Sequence, residues 1–587
     1  MAEGRQTLTP IRPSSRRRRR LLTRAAPILL VAVAAFVAGL LAGAGNGDDS
    51  AGQRFADAWT ADDLEAMYAE LSPAARRRHS LEDFRRAYRR VARTATAETV
   101  RATRSGEATT DDGRVEIIAA AIETRAFAEV RGDVELPVSD EGVEWAPHHA
   151  FPGLAEGEVL TRRTRAPERG PIVAADGTAL AEGPVDSRSL TLGQAAAAVV
   201  GEVGEAPPAV ERELEARGFP PGTPTGISGL ELAYDDRLAG LPGGRLIAGA
   251  SAEAPPGQGR VLATTEPRDG RPVRTTIDPV VQEAAVNALG GLYGGIAVLD
   301  ARRGAVRGLA GVAFTAPQPP GSTFKVITAV AALDEGVVEP EDEFPVETSN
   351  SEIGREISNS NESACGGTFR ESFAKSCNTV FAPVGAEVGA EALVETAERF
   401  GFNSEPTLHD AEATAAIDPP ASTLPTDISG AVEVGVSAIG QGEVLATPLL
   451  MASIAQTIAN DGVRMPTPMV RGSLAAEAEP VEVTSPRTAK LIQEMMVEVV
   501  RSGTGTAAAL PDVQVAGKTG TAELGPAAAA PADDPDAELE QELDAWFIAY
   551  APARDPELAV AVMIVNAEGD GGAIAAPIAR QVLDEAL

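Results

Sequence analysis

An uncharged segment of 23 residues near the N-terminus constrains the topology of this chain more than any other feature. It runs from Ala25 to Gly47 and follows the basic run Arg16–Arg20. A helix of this length, at about 1.5 Å per residue, crosses a hydrocarbon core of about 30 Å. Because basic residues are retained on the cytoplasmic side, we predict a cytoplasmic tail at 1–24, a transmembrane anchor at 25–47 and an extracytoplasmic remainder.

A cleaved signal peptide is the alternative interpretation of this segment. Ala42-Gly43-Ala44 fits the small-x-small pattern of a cleavage site. Both interpretations stay open at this point. Both place the rest of the chain outside the membrane, so the location that we expect does not depend on the choice.

The two cysteines, Cys365 and Cys377, lie twelve positions apart and far from the apolar segment. We therefore expect no lipid attachment through an N-terminal cysteine. Oxidising conditions outside the cell permit a disulfide, and two buried free thiols are the equally open alternative. Together with four histidines the cysteines offer no zinc-ligand spacing, so we expect no metal.

Length and charge set further limits. A chain of 587 residues is too long for one core, so we expect three or four domains. The formal net charge of −34 argues against nucleic acid as a partner, because phosphate binding needs a basic surface.

Residues 50–155 carry helix signals followed by strand signals. Thr60 with Asp63, and Ser80 with Asp83, have the spacing of capping boxes. The segments "RVEIIAAAI" and "GDVELPVSDEGVEWA" then have strand composition. We predict a small α+β domain here.

The remaining chain changes character near residue 274. Before it, 166–183 is rich in turns, and 226–244 predicts one amphipathic helix between glycines. After it, 274–289 predicts a helix with Val280 and its neighbours facing inward. The segment 294–311 then predicts two strands around an Asp-Ala-Arg-Arg-Gly turn, hence a hairpin in an antiparallel sheet.

Lysine is rare in this arginine-rich chain and occurs only at 325, 375, 490 and 518. Lys325 follows Ser322 by three positions in "PPGSTFKVITAV", so the two side chains share a face of the predicted helix. A desolvated lysine can lose its proton and act as a base, whereas arginine cannot. The plainer interpretation of this pair is a serine cap followed by a surface lysine.

Two further segments carry polar groups at close spacing. Ser376 and Asn378 lie two residues apart in "AKSCNTVFA", so both face one cleft if the residue between them points away. In "VQVAGKTGTAEL" the alternating residues 513–516 predict a strand that leads into Lys518.

The four residues 518–521 of that segment suit recognition of an anionic peptide end. Lys518 would supply positive charge, and Thr519 and Thr521 would supply hydroxyl donors. Gly520 would let a substrate backbone approach an edge strand.

The motifs S-x-x-K, S-x-N and K-T-G occur here in the order and at the spacing found in penicillin-binding proteins. The chain resembles class B penicillin-binding proteins over most of its length. "ERGPIVAADGTALA" and "GISGLELAYDDRLAGLPGG" are similar to segments that precede their catalytic domain, and "EWAPHHAFPGL" resembles the end of a MecA-type N-terminal domain. Ala174-Ala175 replaces the usual Asp-Arg, and Asp544 stands where a histidine is frequent.

The resemblance implies a multidomain α+β architecture. Its parts would be a MecA-like domain at 50–155, an elongated β-rich pedestal or dimerisation domain at 156–285 and a transpeptidase domain at 286–587. The last of these would be an antiparallel sheet flanked by helices.

The resemblance also implies the roles of the motif residues in a peptidoglycan D,D-transpeptidase. Ser322 would attack the penultimate D-Ala of a stem peptide with Lys325 as base, and Ser376 with Lys518 would return a proton to the leaving amine. Asn378 would hold the substrate amide, while Thr519, Gly520 and Thr521 would bind the terminal carboxylate. The backbone N–H groups of Ser322 and Thr521 would form the oxyanion hole.

The implied partners are stem peptides on lipid-linked nascent glycan, β-lactams, and a glycosyltransferase of the division or elongation machinery at the cell membrane. No cofactor is implied. The alternatives are a non-catalytic scaffold that binds β-lactams and, less favoured, a β-lactamase. A β-lactam receptor would need a larger cytoplasmic part than 1–24 provides.

Overall fold

The structure, a computed structural model, describes residues 50–111, 113–250, 259–406, 408, 413, 419–472, 478–523 and 542–587. The predicted basic tail (1–24) and transmembrane anchor (25–47) lie outside these residues and stay predictions. Within the described ranges, no helix combines the length and apolar character needed to cross a membrane.

The first described unit consists of four helices followed by an antiparallel sheet of order β1-β2-β3-β4. Its elements are α1 (Ala51–Thr60), α2 (Leu64–Ala69), α3 (Pro73–Arg78), α4 (Leu81–Ala95), β1 (Ala97–Thr110), β2 (Gly113–Thr124), β3 (Ala128–Ser139), β4 (Gly142–Val143) and a 3₁₀ turn (Pro147–Ala150). Phe55, Phe84 and Trp145 are buried between the helices and the sheet, which gives this unit its own core.

One of the two predicted helix caps is confirmed and the other is wrong. The Ser80 hydroxyl accepts a hydrogen bond from the Asp83 N–H at 3.1 Å and caps α4. Thr60 caps nothing, because α1 extends to it and its hydroxyl donates to Ala102 O of β1. Asp63 is itself the cap of α2.

The second unit contains three small sheets and four helices. Its elements are β5 (Val159–Arg165), β6 (Ile172–Val173), β7 (Ala179–Glu182), β8 (Ser189–Leu190), α5 (Gln194–Val200), β9 (Val203–Gly204), α6 (Pro208–Arg217), β10 (Thr225–Gly226), α7 (Gly229–Ala233), α8 (Asp235–Ala239), β11 (Gly243–Gly249), β12 (Arg260–Thr265) and β13 (Val273–Arg274). The sheets have the orders β10-β9, β12-β11-β5 and β13-β6-β7-β8. The single helix predicted over 226–244 is wrong, because Tyr234 leaves helical geometry and separates α7 from α8.

A buried ion-pair cluster joins the two segments that the sequence singled out in this unit. Arg169 Nε lies 2.6 Å from Glu231 Oε2, and Arg188 Nε lies 2.8 Å from Glu231 Oε1. The Glu231 side chain is fully buried, and the two arginines are at most 8% exposed. The cluster fixes the turn before β6 against α7.

The third unit holds the site and is built on one antiparallel sheet of order β15-β14-β24-β23-β22. Its elements are α9 (Pro279–Leu289), β14 (Gly294–Asp300), β15 (Val306–Gly311), a 3₁₀ turn (Gly321–Phe324), α10 (Lys325–Asp334), β16 (Glu343–Glu347), β17 (Ser349–Asn350), β18 (Ile357–Ser358), a 3₁₀ turn (Ser360–Glu362), β19 (Cys365–Thr368), α11 (Phe369–Ala374), α12 (Asn378–Val388), α13 (Ala390–Phe400), α14 (Gly430–Ala438), α15 (Pro448–Ala459), β20 (Val463–Arg464), β21 (Val481–Glu482), α16 (Pro486–Ser502), a 3₁₀ turn (Thr506–Ala508), β22 (Ala516–Glu523), β23 (Leu543–Ala551), β24 (Leu558–Ala567) and α17 (Ala575–Ala586).

The five-stranded sheet buries both faces, and the strand patterns explain why. In β23, Phe547 and Ala549 face a core formed with α9 and α17, whereas Trp546 and Ile548 face the larger core beneath α10 and α15. The predicted hairpin of β14 and β15 and the antiparallel sheet flanked by helices are confirmed.

Two sequence expectations in this unit are wrong. Val280 is 57% exposed, because it lies in the first turn of α9, directly after the Asp278 cap, and faces away from the sheet. The predicted strand at 513–516 starts later, at Ala516, so Lys518 lies inside β22 rather than after a strand.

Replacing Glu231 by Gln should lower the free energy of unfolding by roughly 3–5 kcal/mol, because the buried Arg188 loses its carboxylate and Arg169 keeps only Asp235. Urea denaturation measures this loss. Glu266→Gln is the matched control, since it removes a pair with Arg165 in which both side chains are more than 70% exposed. Equal unfolding midpoints for the two variants would contradict the assignment of the cluster as a structural lock.

Candidate active site

Ser322 lies in the 3₁₀ turn that runs directly into α10, where the first N–H groups have no partner within the helix. The turn is held against the edge strand β22. Gly321 has φ +51°, and a Cβ there would lie 2.3 Å from Thr521 O. The Gly321 N–H donates to Gly440 O at 2.9 Å, which fixes the turn from the other side. The predicted helix start at Ser322 is confirmed.

Lys325 is fully buried and reaches the segment that contains Ser376 and Asn378. Its Nζ lies 2.7 Å from Ser376 O, 3.3 Å from Ser376 Oγ and 2.6 Å from Asn378 Oδ1. The plainer interpretation of Lys325 as a surface lysine is therefore wrong. No hydrogen bond joins Lys325 Nζ to the Ser322 hydroxyl among the contacts of the described residues, although the two side chains are one turn apart.

Ser376 is held in an unusual backbone conformation. Its φ is +61°, a region that a residue with a side chain rarely adopts. The neighbouring Cys377 is fully buried and forms a disulfide with Cys365 of β19. The residue between Ser376 and Asn378 thus points away from the cleft as predicted, and the question left open between a disulfide and free thiols is decided for the disulfide.

Both polar atoms of the Asn378 side-chain amide form hydrogen bonds. Its Oδ1 accepts from Lys325 Nζ, and its Nδ2 donates to Ser358 O at 2.9 Å. In this arrangement the amide positions Lys325. The role predicted for Asn378, contact with a substrate amide, requires one of these two bonds to be exchanged.

Lys518 meets Ser376 from the opposite side. Its Nζ donates to Ser376 Oγ at 2.8 Å and to Thr519 O at 2.9 Å, and its side chain is fully buried. The Ser376 hydroxyl therefore lies between two lysine amines. The structure brings together all three motifs around this one oxygen.

Burial lowers the pKa of both amines below that of an ordinary lysine. Removal from water lowers the pKa of Lys518 to about 7. Removal from water also lowers the pKa of Lys325 well below its usual range, and the charge of Lys518 lowers it further. The charge of Lys518 therefore favours the neutral form of Lys325.

Gly520 of the edge strand β22 packs against the turn that carries Ser322, a contact that the sequence did not predict. A Cβ at Gly520 would lie 2.7 Å from Pro320 O and 2.8 Å from Thr323 Cγ2. Glycine is needed here because the turn that carries Ser322 packs against the strand. The predicted approach of a substrate backbone to Gly520 remains a prediction.

Successive side chains of β22 point to opposite faces, so Thr519 and Thr521 project from the face opposite to Lys518. The Thr519 hydroxyl shares a 2.5 Å hydrogen bond with Thr504, and the Thr521 hydroxyl accepts from the Gly571 N–H at 3.2 Å. The sequence reasoning missed Thr504 and Gly571. A signal was present, since "SGTG" (502–505) and "GDGG" (569–572) both place small polar residues between regular elements.

Family models match the two units described last. Residues 294–584 match the penicillin binding protein transpeptidase domain, and residues 183–275 match the penicillin-binding protein dimerisation domain. Peptidoglycan D,D-transpeptidase PbpA of Mycobacterium tuberculosis is 38% identical over 303 residues, which cover 47% of this chain and 56% of that protein. Penicillin-binding protein PbpB of Mycolicibacterium smegmatis is 29% identical over 408 residues, 61% of this chain and 60% of the relative.

The chain belongs to the class B penicillin-binding proteins. It spans only a little over half the length of the first of these curated relatives.

Solved structures agree with this membership. The D,D-transpeptidase domain of a peptidoglycan glycosyltransferase from Eggerthella lenta superposes with a TM-score of 0.55 at 29% identity, covering 72% of this chain and 98% of that one. Penicillin-binding protein A of M. tuberculosis, solved as a ceftriaxone acyl-enzyme complex, has the same TM-score and coverage at 27% identity. The pedestal and transpeptidase architecture of this penicillin-binding protein is thereby established.

Asp544, which stands where a histidine is frequent in the family, places a buried carboxyl group near the site. Asp544 lies on β23 opposite Ala522, and its Oδ1 accepts from the Asn566 N–H at 3.3 Å. Its other oxygen is buried without a partner, and burial raises the pKa of Asp544 to about 6. Asp544 contacts none of the motif side chains through a hydrogen bond within the described residues.

Proposed function

We propose that this penicillin-binding protein is a peptidoglycan D,D-transpeptidase that works through an acyl-enzyme on Ser322 and is acylated by β-lactams. The observation that carries the proposal is the fully buried Lys325 amine, with its lowered pKa, one helical turn from the Ser322 hydroxyl. PbpA of M. tuberculosis bears the name of this activity, and a penicillin-binding protein of similar fold forms a ceftriaxone acyl-enzyme. Both support the same chemistry here.

In the acylation step, the neutral Lys325 amine takes the proton of Ser322 while Oγ attacks the carbonyl of the penultimate D-Ala. The Oγ–C ester bond forms, and the peptide bond to the terminal D-Ala breaks. The N–H groups of Ser322 and Thr521 stabilise the oxyanion. To act as base, Lys325 exchanges one of its hydrogen bonds to Ser376 or Asn378 for one to Ser322.

The leaving amine of D-Ala needs a proton, and the hydroxyl of Ser376 can supply it. Lys518 donates to this hydroxyl at 2.8 Å, so a proton lost by Ser376 is replaced from Lys518. The amine of a second stem peptide then attacks the ester carbonyl and forms the new amide bond, while its proton passes through Ser376 to Lys518. The ester bond to Ser322 Oγ breaks, and Oγ takes back its proton from Lys325. Thr519 and Thr521, with the charge of Lys518, would hold the terminal carboxylate.

We propose further that residues 25–47 anchor the enzyme in the cell membrane with its catalytic unit outside. The uncharged segment and the basic run before it support this location. Residues 50–155 would be a MecA-type domain, a proposal supported by "EWAPHHAFPGL" at their end. A separate glycosyltransferase would supply lipid-linked glycan, a proposal supported by the match of 183–275 and 294–584 to dimerisation and transpeptidase domains.

Incubation of the full chain with a labelled penicillin should modify Ser322. Mass spectrometry of the intact protein and peptide mapping locate the adduct. Ser322→Ala should acquire no label, whereas Ser351→Ala, which removes an exposed hydroxyl, should label normally. An adduct on the Ser322→Ala protein would disprove the assignment. A long-lived adduct together with cross-linking of stem peptides would separate the transpeptidase from the β-lactamase and scaffold alternatives.

Replacing Lys325 by Arg should slow acylation by at least about 10²-fold, because arginine keeps the charge but cannot act as the base. Stopped-flow measurement with a chromogenic cephalosporin gives the rate. Lys375→Arg is the matched control, since Lys375 is exposed and one residue from Ser376. A rate within a few fold of the unmodified protein for Lys325→Arg would refute the neutral-lysine mechanism.

A further inference from the structure

A third threonine lies beside the two hydroxyls that the proposed function assigns to the substrate carboxylate. Thr504 follows α16, and its hydroxyl shares a 2.5 Å hydrogen bond with the hydroxyl of Thr519. Thr504 is exposed, whereas Thr519 is only 5% exposed. The bond therefore links a hydroxyl at the protein surface to a largely buried hydroxyl of the K-T-G motif.

The backbone around Thr504 is held without help from its side chain. The N–H groups of Gly503 and Gly505 both donate to Val499 O, at 3.1 and 3.0 Å. The Thr504 N–H donates to Ala374 O at 3.2 Å. A substitution that removes the Thr504 hydroxyl therefore leaves the contacts that place this segment unchanged.

Close packing ties the same segment to both sides of the site. Ala374 ends α11, two residues before Ser376. A Cβ added at Gly503 would lie 2.2 Å from Ala374 O, and a Cβ added at Gly572 would lie 2.5 Å from Thr504 O. These close approaches fix where the Thr504 hydroxyl lies relative to β22.

The direction of the bond between Thr504 and Thr519 decides what Thr519 can do. A hydroxyl carries one proton, so a Thr519 that donated to Thr504 would have none left for a carboxylate. If Thr504 donates instead, Thr519 accepts this bond and keeps its own proton for the anion. The separation of the two oxygens fits either direction, and a carboxylate, which only accepts, selects the second.

Thr521 has a comparable arrangement. Its hydroxyl accepts from the Gly571 N–H at 3.2 Å and so also keeps its proton. Each motif threonine thus has a neighbouring donor from a different loop, 503–505 for Thr519 and 569–572 for Thr521. Hydrogen bonds in series strengthen one another, because each bond polarises the next.

We propose that Thr504 is a positioning residue for carboxylate recognition. Its hydroxyl donates to Thr519 and so turns the Thr519 proton toward the terminal carboxylate of the stem peptide or the carboxylate of a β-lactam. The inference rests on the proposed function, in which Thr519 and Thr521 hold that carboxylate. Within the described residues Thr504 forms no hydrogen bond with Ser322, so its effect should be confined to ligands that carry the anion.

Acylation by two matched ligands tests the proposal: benzylpenicillin, which carries the carboxylate, and benzylpenicillin methyl ester, which does not. Intact-mass spectrometry of the full chain over time gives the second-order rate constant for each. Thr504→Val should slow acylation by benzylpenicillin about tenfold, because Thr519 loses its donor, and should slow acylation by the methyl ester less than about twofold.

Two further variants control for shape and for general disturbance. Thr504→Ser keeps the hydroxyl and should keep the benzylpenicillin rate within about twofold of the unmodified protein. Thr506→Val is the matched control, since Thr506 is exposed and its hydroxyl forms no hydrogen bond among the described residues, and it should change neither rate. Should Thr504→Val fail to fold, Thr504→Ala removes the same hydroxyl and should show the same selective loss.

The pattern of the losses separates the outcomes. A loss confined to benzylpenicillin and restored by serine supports the inference. An equal loss with both ligands would show a purely structural role and overturn it, and so would an unchanged benzylpenicillin rate without the hydroxyl. If the unmodified protein forms no adduct with benzylpenicillin, the proposed function itself fails, and this inference fails with it.

Discussion

The burial of two lysine amines around a single hydroxyl oxygen is the constraint on which the rest of the site depends. Lys325 and Lys518 approach Ser376 Oγ at 3.3 and 2.8 Å, and both side chains are fully buried. Two protonated amines at this separation from one atom would repel each other strongly where water does not screen them. One of them must therefore give up its proton. The charge of Lys518 lowers the pKa of Lys325, so Lys325 is the amine that becomes neutral. A neutral amine next to Ser322 follows from where these residues are buried.

The surrounding fold maintains this arrangement from three directions. The turn that carries Ser322 fits against β22 because Gly321 and Gly520 leave room for the backbones to approach. The disulfide between Cys365 and Cys377 holds the segment that contains Ser376 from behind. The antiparallel sheet supplies the rigid edge from which Lys518 projects. Catalytic groups on regular elements with supporting contacts keep their geometry better than groups on loops.

Much of the site could be predicted from the sequence, because its signals are local. The spacing of Ser322 and Lys325 predicts a shared helix face. The run 513–516 predicts a strand close to Lys518, although β22 begins only at Ala516. The sequence could not predict that Asn378 bonds Lys325, or that Gly520 meets Pro320, because these contacts join segments distant in the chain. Predictions also failed at the ends of helices. Thr60 is the last residue of α1 and caps no helix, and Val280 lies in the exposed first turn of α9.

The proton content of Lys325 in the resting enzyme tests the central claim most directly. The chain contains only four lysines, so labelling lysine side chains with ¹³C and ¹⁵N gives a spectrum in which each amine is followed separately against pH. Variants at 375, 490 and 518 assign the signals. The account predicts that Lys325 titrates well below 10.5 and that Lys518 titrates at about 7. A Lys325 amine that keeps its proton up to its ordinary value of 10.5 would contradict the account.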